Sequence, residues 1–291
     1  MTMIFITGAG GTVGREVVKQ LELAKVPFRV AYFSPEKVEA ALANGIEAVT
    51  IDYNRPETLR SAFQGCDKLF LLGPNALNQT QLELNAVEAA KAVGVQHIVK
   101  QSVMGAEAED FSLALLHRPV EQAIESSGMT WTFLRPNSFM QNVVTFMSET
   151  IKAESAFYSA SGEAKIAHVD VRDIAAVAVK ALTEPNHAGQ AYTLTGAESL
   201  TYDELAQELS AVLGRSISHI SLSHEDLKQG MLAEGMPEAI ADRMLDLERY
   251  YRENKANRIT NDIQQVTGQE PRRFAQYARD YAPLLQSASA A

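Results

Sequence analysis

The segment Thr7-Gly-Ala-Gly-Gly-Thr-Val-Gly14 holds the residue types and spacing best suited to chemistry in this chain. Gly8, Gly11 and Gly14 recur at every third position, with Gly10 between them. Glycine lets the backbone turn tightly, removes the Cβ that would block an approaching phosphate, and lets a following helix pack close to the preceding strand. A helix opening there aims free N–H groups at an anion. The segment therefore reads as a pyrophosphate cradle formed by Thr7, Gly8, Gly10, Gly11, Thr12, Val13 and Gly14. A flexible loop without a ligand is the rival reading. The context favours the cradle, because a short β-rich run precedes it and an amphipathic helix carrying Val13, Val17, Val18 and Leu21 follows.

A second constellation is His117 and Glu121, four residues apart and so on one face of a predicted helix over 111–126. A carboxylate beside an imidazole raises its pKa and orients the ring, so the pair could move a proton. It could equally be a structural ion pair, and Pro119 between the two is expected to perturb the helix. Two ligands are too few for zinc, and no metal is expected. The lone cysteine, Cys66, reads as a small buried residue near a helix end.

The elements that must hold these groups alternate regularly in the first half of the chain. Strands are predicted at Met3–Thr7, Phe28–Phe33, Glu47–Asp52, Lys68–Leu72, His97–Gln101 and Thr130–Leu134. Helices lie between them, two opened by Pro35 and Pro56 and one running over Gln79–Val93. This alternation predicts an α/β fold, a Rossmann doubly wound parallel sheet, with ligands beyond the carboxyl ends of the strands. Thr7, Asp52, Gly73 and Ser102 all fall at or just after such ends.

After Pro136 the pattern loosens. A helix over 139–152, a hairpin-like stretch over 156–168 and a helix opened by Asp173 as N-cap are expected, followed by helices at Tyr202–Leu213, Glu225–Ala233, Pro237–Glu253 and Phe274–Ala282. The division predicted is a dinucleotide-binding domain over 1–155 and a smaller, mainly helical substrate-facing region over 156–291, with the helix near 172–183 packing back on the first. Ser287–Ala291 reads as a disordered tail.

The net charge of −10 argues against a nucleic-acid partner. No apolar run approaches the roughly 20 residues that span a bilayer, and Met1 leads straight into a strand without a signal-peptide pattern. With one cysteine, the cytoplasm is the expected compartment.

Several segments together carry a family resemblance. They are the glycine turn, Gly65-Cys-Asp-Lys68, Ala89-Ala-Lys-Ala-Val-Gly-Val-Gln-His97, Ser126-Ser-Gly-Met-Thr-Trp-Thr-Phe-Leu-Arg-Pro-Asn137 and Val169-Asp-Val-Arg-Asp-Ile-Ala175. The chain resembles the atypical short-chain dehydrogenase/reductases, and within them the NmrA-like family. The resemblance implies NAD or NADP as cofactor, with Asp52 near the adenine and Gly73 near the ribose or nicotinamide. An acid gripping the ribose of NAD is missing after the second strand, which favours NADP. Phe33 stands where NADP-binding relatives often carry arginine, leaving Ser34 and Lys37 as phosphate contacts, although Lys37 also reads as a solvated helix residue. Ser102 matches the superfamily's serine position. The tyrosine and lysine positions of Tyr-x-x-x-Lys carry His117 and Glu121 instead. Asn137, Phe139 and Met140 follow the sixth strand and would suit a flat aromatic substrate, or belong to the core. The resemblance implies either an NAD(P)H-dependent reductase of quinone-like or other conjugated molecules, or a non-catalytic NAD(P)-binding redox sensor acting through a protein partner.

Overall fold

The computed structural model describes residues 2–286, so the expected disordered tail Ser287–Ala291 lies outside the described residues. In chain order the elements are β1 (Ile4–Ile6), α1 (Thr12–Leu23), β2 (Phe28–Tyr32), α2 (Pro35–Ala43), β3 (Glu47–Thr50), α3 (Pro56–Phe63), β4 (Lys68–Leu71), α4 (Gln79–Ala92), β5 (His97–Gln101), α5 (Ser112–Glu125), β6 (Thr130–Pro136), α6 (Ser148–Glu154), β7 (Ala156–Ser159), α7 (Val171–Thr183) and β8 (Gln190–Leu194). They continue as α8 (Tyr202–Leu213), β9 (Ser218–Ser221), α9 (His224–Ala233), α10 (Glu238–Arg252), α11 (Asp262–Thr267) and α12 (Phe274–Leu285).

Seven strands form one parallel sheet in the order β3-β2-β1-β4-β5-β6-β8. From β1 the chain first builds outward through β2 and β3, then returns to lay β4 on the other flank of β1. The order therefore reverses between β1 and β4, and a doubly wound sheet opens its ligand crevice beyond the carboxyl ends at such a reversal. The central strands are buried on both faces: Ile4, Phe5, Ile6, Leu69, Phe70 and Leu71 are at most 1% exposed. Phe5 meets Phe63 of α3 edge to face at 4.9 Å. On the other face α1 packs against α7, and Gln20 Nε2 donates to the Arg172 carbonyl at 2.9 Å.

The chain divides into two compact units, but not by a single cut at 155. The first holds the chain up to Asp110, Ala114–Pro136 and Val171–Thr193; the second holds Phe111–Leu113, Asn137–Asp170 and the chain from Leu194. The helix expected near 172–183 is α7, a member of the first unit.

Three local expectations are corrected. The stretch over 156–168 is no hairpin, because β7 pairs in parallel with β9 about sixty residues further on. The helix expected from 139 begins later. Ser138 O accepts from Val169 N at 2.8 Å and Met140 N donates to Val169 O at 2.9 Å, which holds this stretch extended; a π-helical turn over Val143–Met147 then leads into α6. Asp173 is not an N-cap: α7 starts at Val171 and places Asp173, buried, in its first turn. The capping box at α8, by contrast, is complete, with Thr201 Oγ1 accepting from Glu204 N at 3.1 Å and Glu204 Oε2 from Thr201 N at 2.8 Å.

Candidate cofactor site

The glycine turn links β1 to α1 and takes the form a phosphate cradle needs. Gly11 N donates to Gly8 O at 2.9 Å, closing the turn, and Gly8 sits at φ +65°. A Cβ on Gly14 would lie 2.1 Å from Gly8 O, so no other residue fits there. Thr7 is fully buried, its hydroxyl donating to Phe70 O and Leu72 O at 3.0 and 3.2 Å and accepting from Leu72 N at 2.9 Å. It is therefore a strut between β1 and β4 rather than a free ligand group. Val13 is buried under the turn, while Gly11 and Thr12 face solvent.

Beyond β2, the Lys37 ammonium lies 3.5 Å from where a Gly10 Cβ would stand, which brings a cation from α2 to the glycine turn. Ser34 caps α2, accepting from Lys37 N and donating to Glu36. That hydroxyl is already engaged within the cap. Phe33 is 76% exposed. Asp52 does not cap α3, which has Arg55 at that position; its Oδ1 accepts from Asn54 N at 2.9 Å in a tight turn. The glycine cradle and the Lys37 ammonium fit a phosphate-bearing dinucleotide, and these are the residues that would hold its pyrophosphate and outer phosphate.

The turn after β4 is gripped from three sides. Leu72 bonds Thr7 as above, and Tyr53 donates its phenol to Leu72 O at 3.1 Å. Burial raises the pKa of that phenol and keeps it a proton donor. Gly73 N donates to Glu83 Oε1 at 2.8 Å. Glu83 on α4 and Lys100 on β5 are both fully buried and paired at 3.0 Å, and the Lys100 ammonium also reaches His117 Nδ1 at 3.1 Å and the Gln101 carbonyl. Sequence reasoning missed Glu83 and Lys100. The available signal was a lysine inside the run His97–Gln101, since a strand buried on both faces accommodates an ammonium group only with a partner.

His117 and Glu121 have different partners from those expected. His117 sits beside Lys100 and 4.0 Å from Glu83 Oε2. Glu121 receives Arg135 bidentately from β6, at 3.0 and 2.8 Å, and Arg118 at 2.9 Å. Burial opposes the Glu121 charge, but the Arg135 guanidinium, the Ser102 hydroxyl and Arg118 outweigh it and hold the carboxyl below its ordinary range. Glu121 thus stays ionised as a structural pair. The helix also runs unbroken through Pro119, contrary to expectation, with Thr80 Oγ1 donating to the nearby Leu116 carbonyl at 2.9 Å.

In the second unit, Asn137 spends its amide on the backbone: Nδ2 donates to Ala256 O and Oδ1 accepts from Ser138 N, both at 2.8 Å. Met140 is 1% exposed and packs by Gly196. Both are buried, and Phe139 is half-buried. His168 is buried, and burial pushes its pKa down to about 4.

A cavity of about 260 Å³ opens at the other, amino-terminal end of the sheet, among Lys68, His97, Thr130 and His187. These four already have protein partners, with Lys68 Nζ on Leu182 O at 2.7 Å, His97 between Thr130 and Thr132, and His187 on Tyr192. Among the described residues no group of three His, Cys, Asp or Glu could hold a metal ion, and no helix is long and apolar enough to cross a membrane.

Residues 1–282 match the model of the NmrA-like family. The chain belongs to that family. This NmrA-like chain is 36% identical over 287 residues to an NAD(P)H azoreductase of Xenophilus azovorans, covering 98% of its own length and all of the relative's. Its fold superposes on the NADPH-dependent quinone oxidoreductase of Escherichia coli complexed with NADPH, with a TM-score of 0.88 at 28% identity, covering 96% of this chain and 100% of that one. The Citrobacter sp. triphenylmethane reductase complexed with NADP(H) gives 0.85 at 28% identity, covering 96% and 99%.

Proposed function

We propose that this NmrA-like chain is an NAD(P)H-dependent reductase that transfers hydride to a quinone, azo dye or similar conjugated small molecule. The observation that carries the reading is the glycine cradle with the Lys37 ammonium beside it, in a chain that aligns nearly end to end with an NAD(P)H azoreductase. Bound there, the reduced dinucleotide supplies the hydride; the protein binds and orients it. The Thr7 to Gly14 turn would hold the pyrophosphate, Lys37 the outer phosphate, and Gly73 would pass along the nicotinamide half.

Glu121, read as standing at the superfamily's lysine position, supports a conjugated acceptor. Glu121 is held as a carboxylate by two guanidinium groups, so it has no proton to give. A simple ketone needs a strong proton donor at its oxygen as hydride arrives. A quinone or cationic dye delocalises the incoming charge, and water can protonate it afterwards. The single, buried Cys66 thiol suits a reducing compartment, and we assign the chain to the cytoplasm.

The test is oxidation of NADPH and NADH with a panel of quinones and azo and triphenylmethane dyes, with Gly11→Asp as the control that places a negative charge in the cradle. Turnover that the control loses is the expected result. Cofactor binding by calorimetry without turnover on any acceptor would overturn the reductase reading and favour a redox sensor with a protein partner.

A further inference from the structure

Two fully buried opposite charges, Glu83 and Lys100, stand beneath the turn that follows β4. Glu83 Oε1 accepts the Gly73 N–H at 2.8 Å and the Lys100 ammonium at 3.0 Å. Its other oxygen, Oε2, is buried, accepts no hydrogen bond, and lies 4.0 Å from His117 Nδ1. Lys100 is held in turn by His117 Nδ1 and the Gln101 carbonyl, so its charge is fixed in place from β5 and α5. The carboxylate presses so closely on the turn that a Cβ on Gly73 would meet Glu83 Cγ at 2.5 Å. One residue earlier, a Cβ on Gly8 would meet Leu72 Cγ at 2.9 Å. The turns after β1 and β4 therefore interlock, and Glu83 fixes the second against the first.

Stability alone does not account for this pair. A neutral glutamine would also accept the Gly73 N–H, though more weakly, and would need no counter-ion. Buried ion pairs are often no more stabilising than apolar residues of the same volume, because both charges lose their hydration. What the charges add is stiffness: a charge-assisted bond to Gly73 N is shorter and stronger than a neutral one.

We propose that Glu83 and Lys100 are positioning residues that hold the Gly73 turn at a fixed distance from the glycine cradle and so set where the nicotinamide half of the cofactor lies. The proposal rests on the reductase reading for its catalytic consequence. Its structural half stands apart from that reading.

The experiment compares two double variants of the full chain with the wild type. Glu83→Gln/Lys100→Met removes both charges and keeps an acceptor for Gly73 N–H; Glu83→Leu/Lys100→Met removes the acceptor as well. Three readouts are taken: hydrogen–deuterium exchange of the segment containing Gly73 without cofactor, the NADPH dissociation constant, and kcat and KM with a quinone. The leucine variant is expected to exchange at Gly73 at least about tenfold faster and to lose about tenfold in kcat, with the quinone KM little changed. The glutamine variant, which keeps an acceptor without the stiffening charges, should fall between the leucine variant and the wild type in both, and full wild-type behaviour of the glutamine variant would also overturn the proposal. Equal behaviour of the two variants, or wild-type exchange at Gly73 in the leucine variant, would overturn the proposal. Should neither variant fold, Gly73→Ala displaces the turn from Glu83 without stranding a buried charge. It should weaken NADPH binding about tenfold, and unchanged binding would sink the idea. A wild type without turnover defeats the reductase reading alone, since exchange and NADPH affinity still decide the positioning.

Discussion

Gly10 and Gly14 sit four residues apart in the same turn, yet substituting them should have opposite consequences. An alanine at Gly14 forces its Cβ to 2.1 Å from Gly8 O, so Gly14→Ala is expected to destabilise the fold by about 1–3 kcal/mol, seen as a lower melting temperature. The nearest atom to a Gly10 Cβ is the Lys37 ammonium at 3.5 Å, an ordinary contact. Gly10→Ala should therefore melt like the wild type and still lose NADPH affinity, because its methyl group enters the space a phosphate needs. A calorimetric titration of both variants separates the two roles. Lys37→Ala should raise the KM for NADPH about tenfold and leave that for NADH unchanged, since one charge-assisted bond to the outer phosphate is lost. Equal effects on both cofactors would remove Lys37 from phosphate recognition. At this scale the sequence was most legible where glycine spacing alone states the geometry. It was least legible at Asn137, whose amide looks available in the sequence but is consumed by the adjacent Ser138 and by Ala256, a partner 119 residues further on that no periodicity reveals.

At the scale of elements, β6 is fastened to α5 by Arg135 on Glu121, with Glu107 at 2.9 Å on the third guanidinium nitrogen. Arg135→Met leaves a fully buried carboxylate with Arg118 as its one remaining cationic partner, and is expected to cost about 3–5 kcal/mol, read from chemical denaturation. A loss below about 1 kcal/mol would mean that solvent reaches Glu121. The helix pattern had suggested that Glu121 would face His117. The three-dimensional partners instead come from neighbouring strands, Lys100 on β5 for His117 and Arg135 on β6 for Glu121. A one-dimensional pattern reports residues that share a face, but the partner across the layer depends on strand order. For the same reason the six strands of the first half could be read from alternation with helices, whereas β7 could not be assigned its mate β9: four-residue strands paired across sixty residues leave no local trace.

At the scale of the whole molecule, buried imidazoles make stability depend on pH. Burial pushes His97 and His168 down to about 4, with Lys68 and His187 adding to the effect at His97. The unfolded chain takes up those protons near 6.5. Between 6.5 and 4 the unfolded state thus binds more protons than the folded state. The stability is complete above the upper value and is lost as pH falls through that window, by up to about 1.4 kcal/mol per pH unit for each histidine. The urea midpoint should fall between pH 7 and pH 5, and His97→Asn should flatten the slope; a midpoint independent of pH would mean that both rings titrate in the folded protein as they do in the unfolded chain. The division of the chain into units has a consequence of another kind. Because β8 and α7 belong with β1 to β6, the sheet cannot be completed until roughly the first two-thirds of the chain has left the ribosome. Until then β6 presents an open edge and α1 lacks the helix that covers it, so the nascent protein passes through a stage that favours association with other chains. A fragment ending at residue 155, which the sequence alone would suggest as a domain, reproduces that stage permanently and should aggregate on expression, while the intact chain escapes it as soon as α7 and β8 arrive.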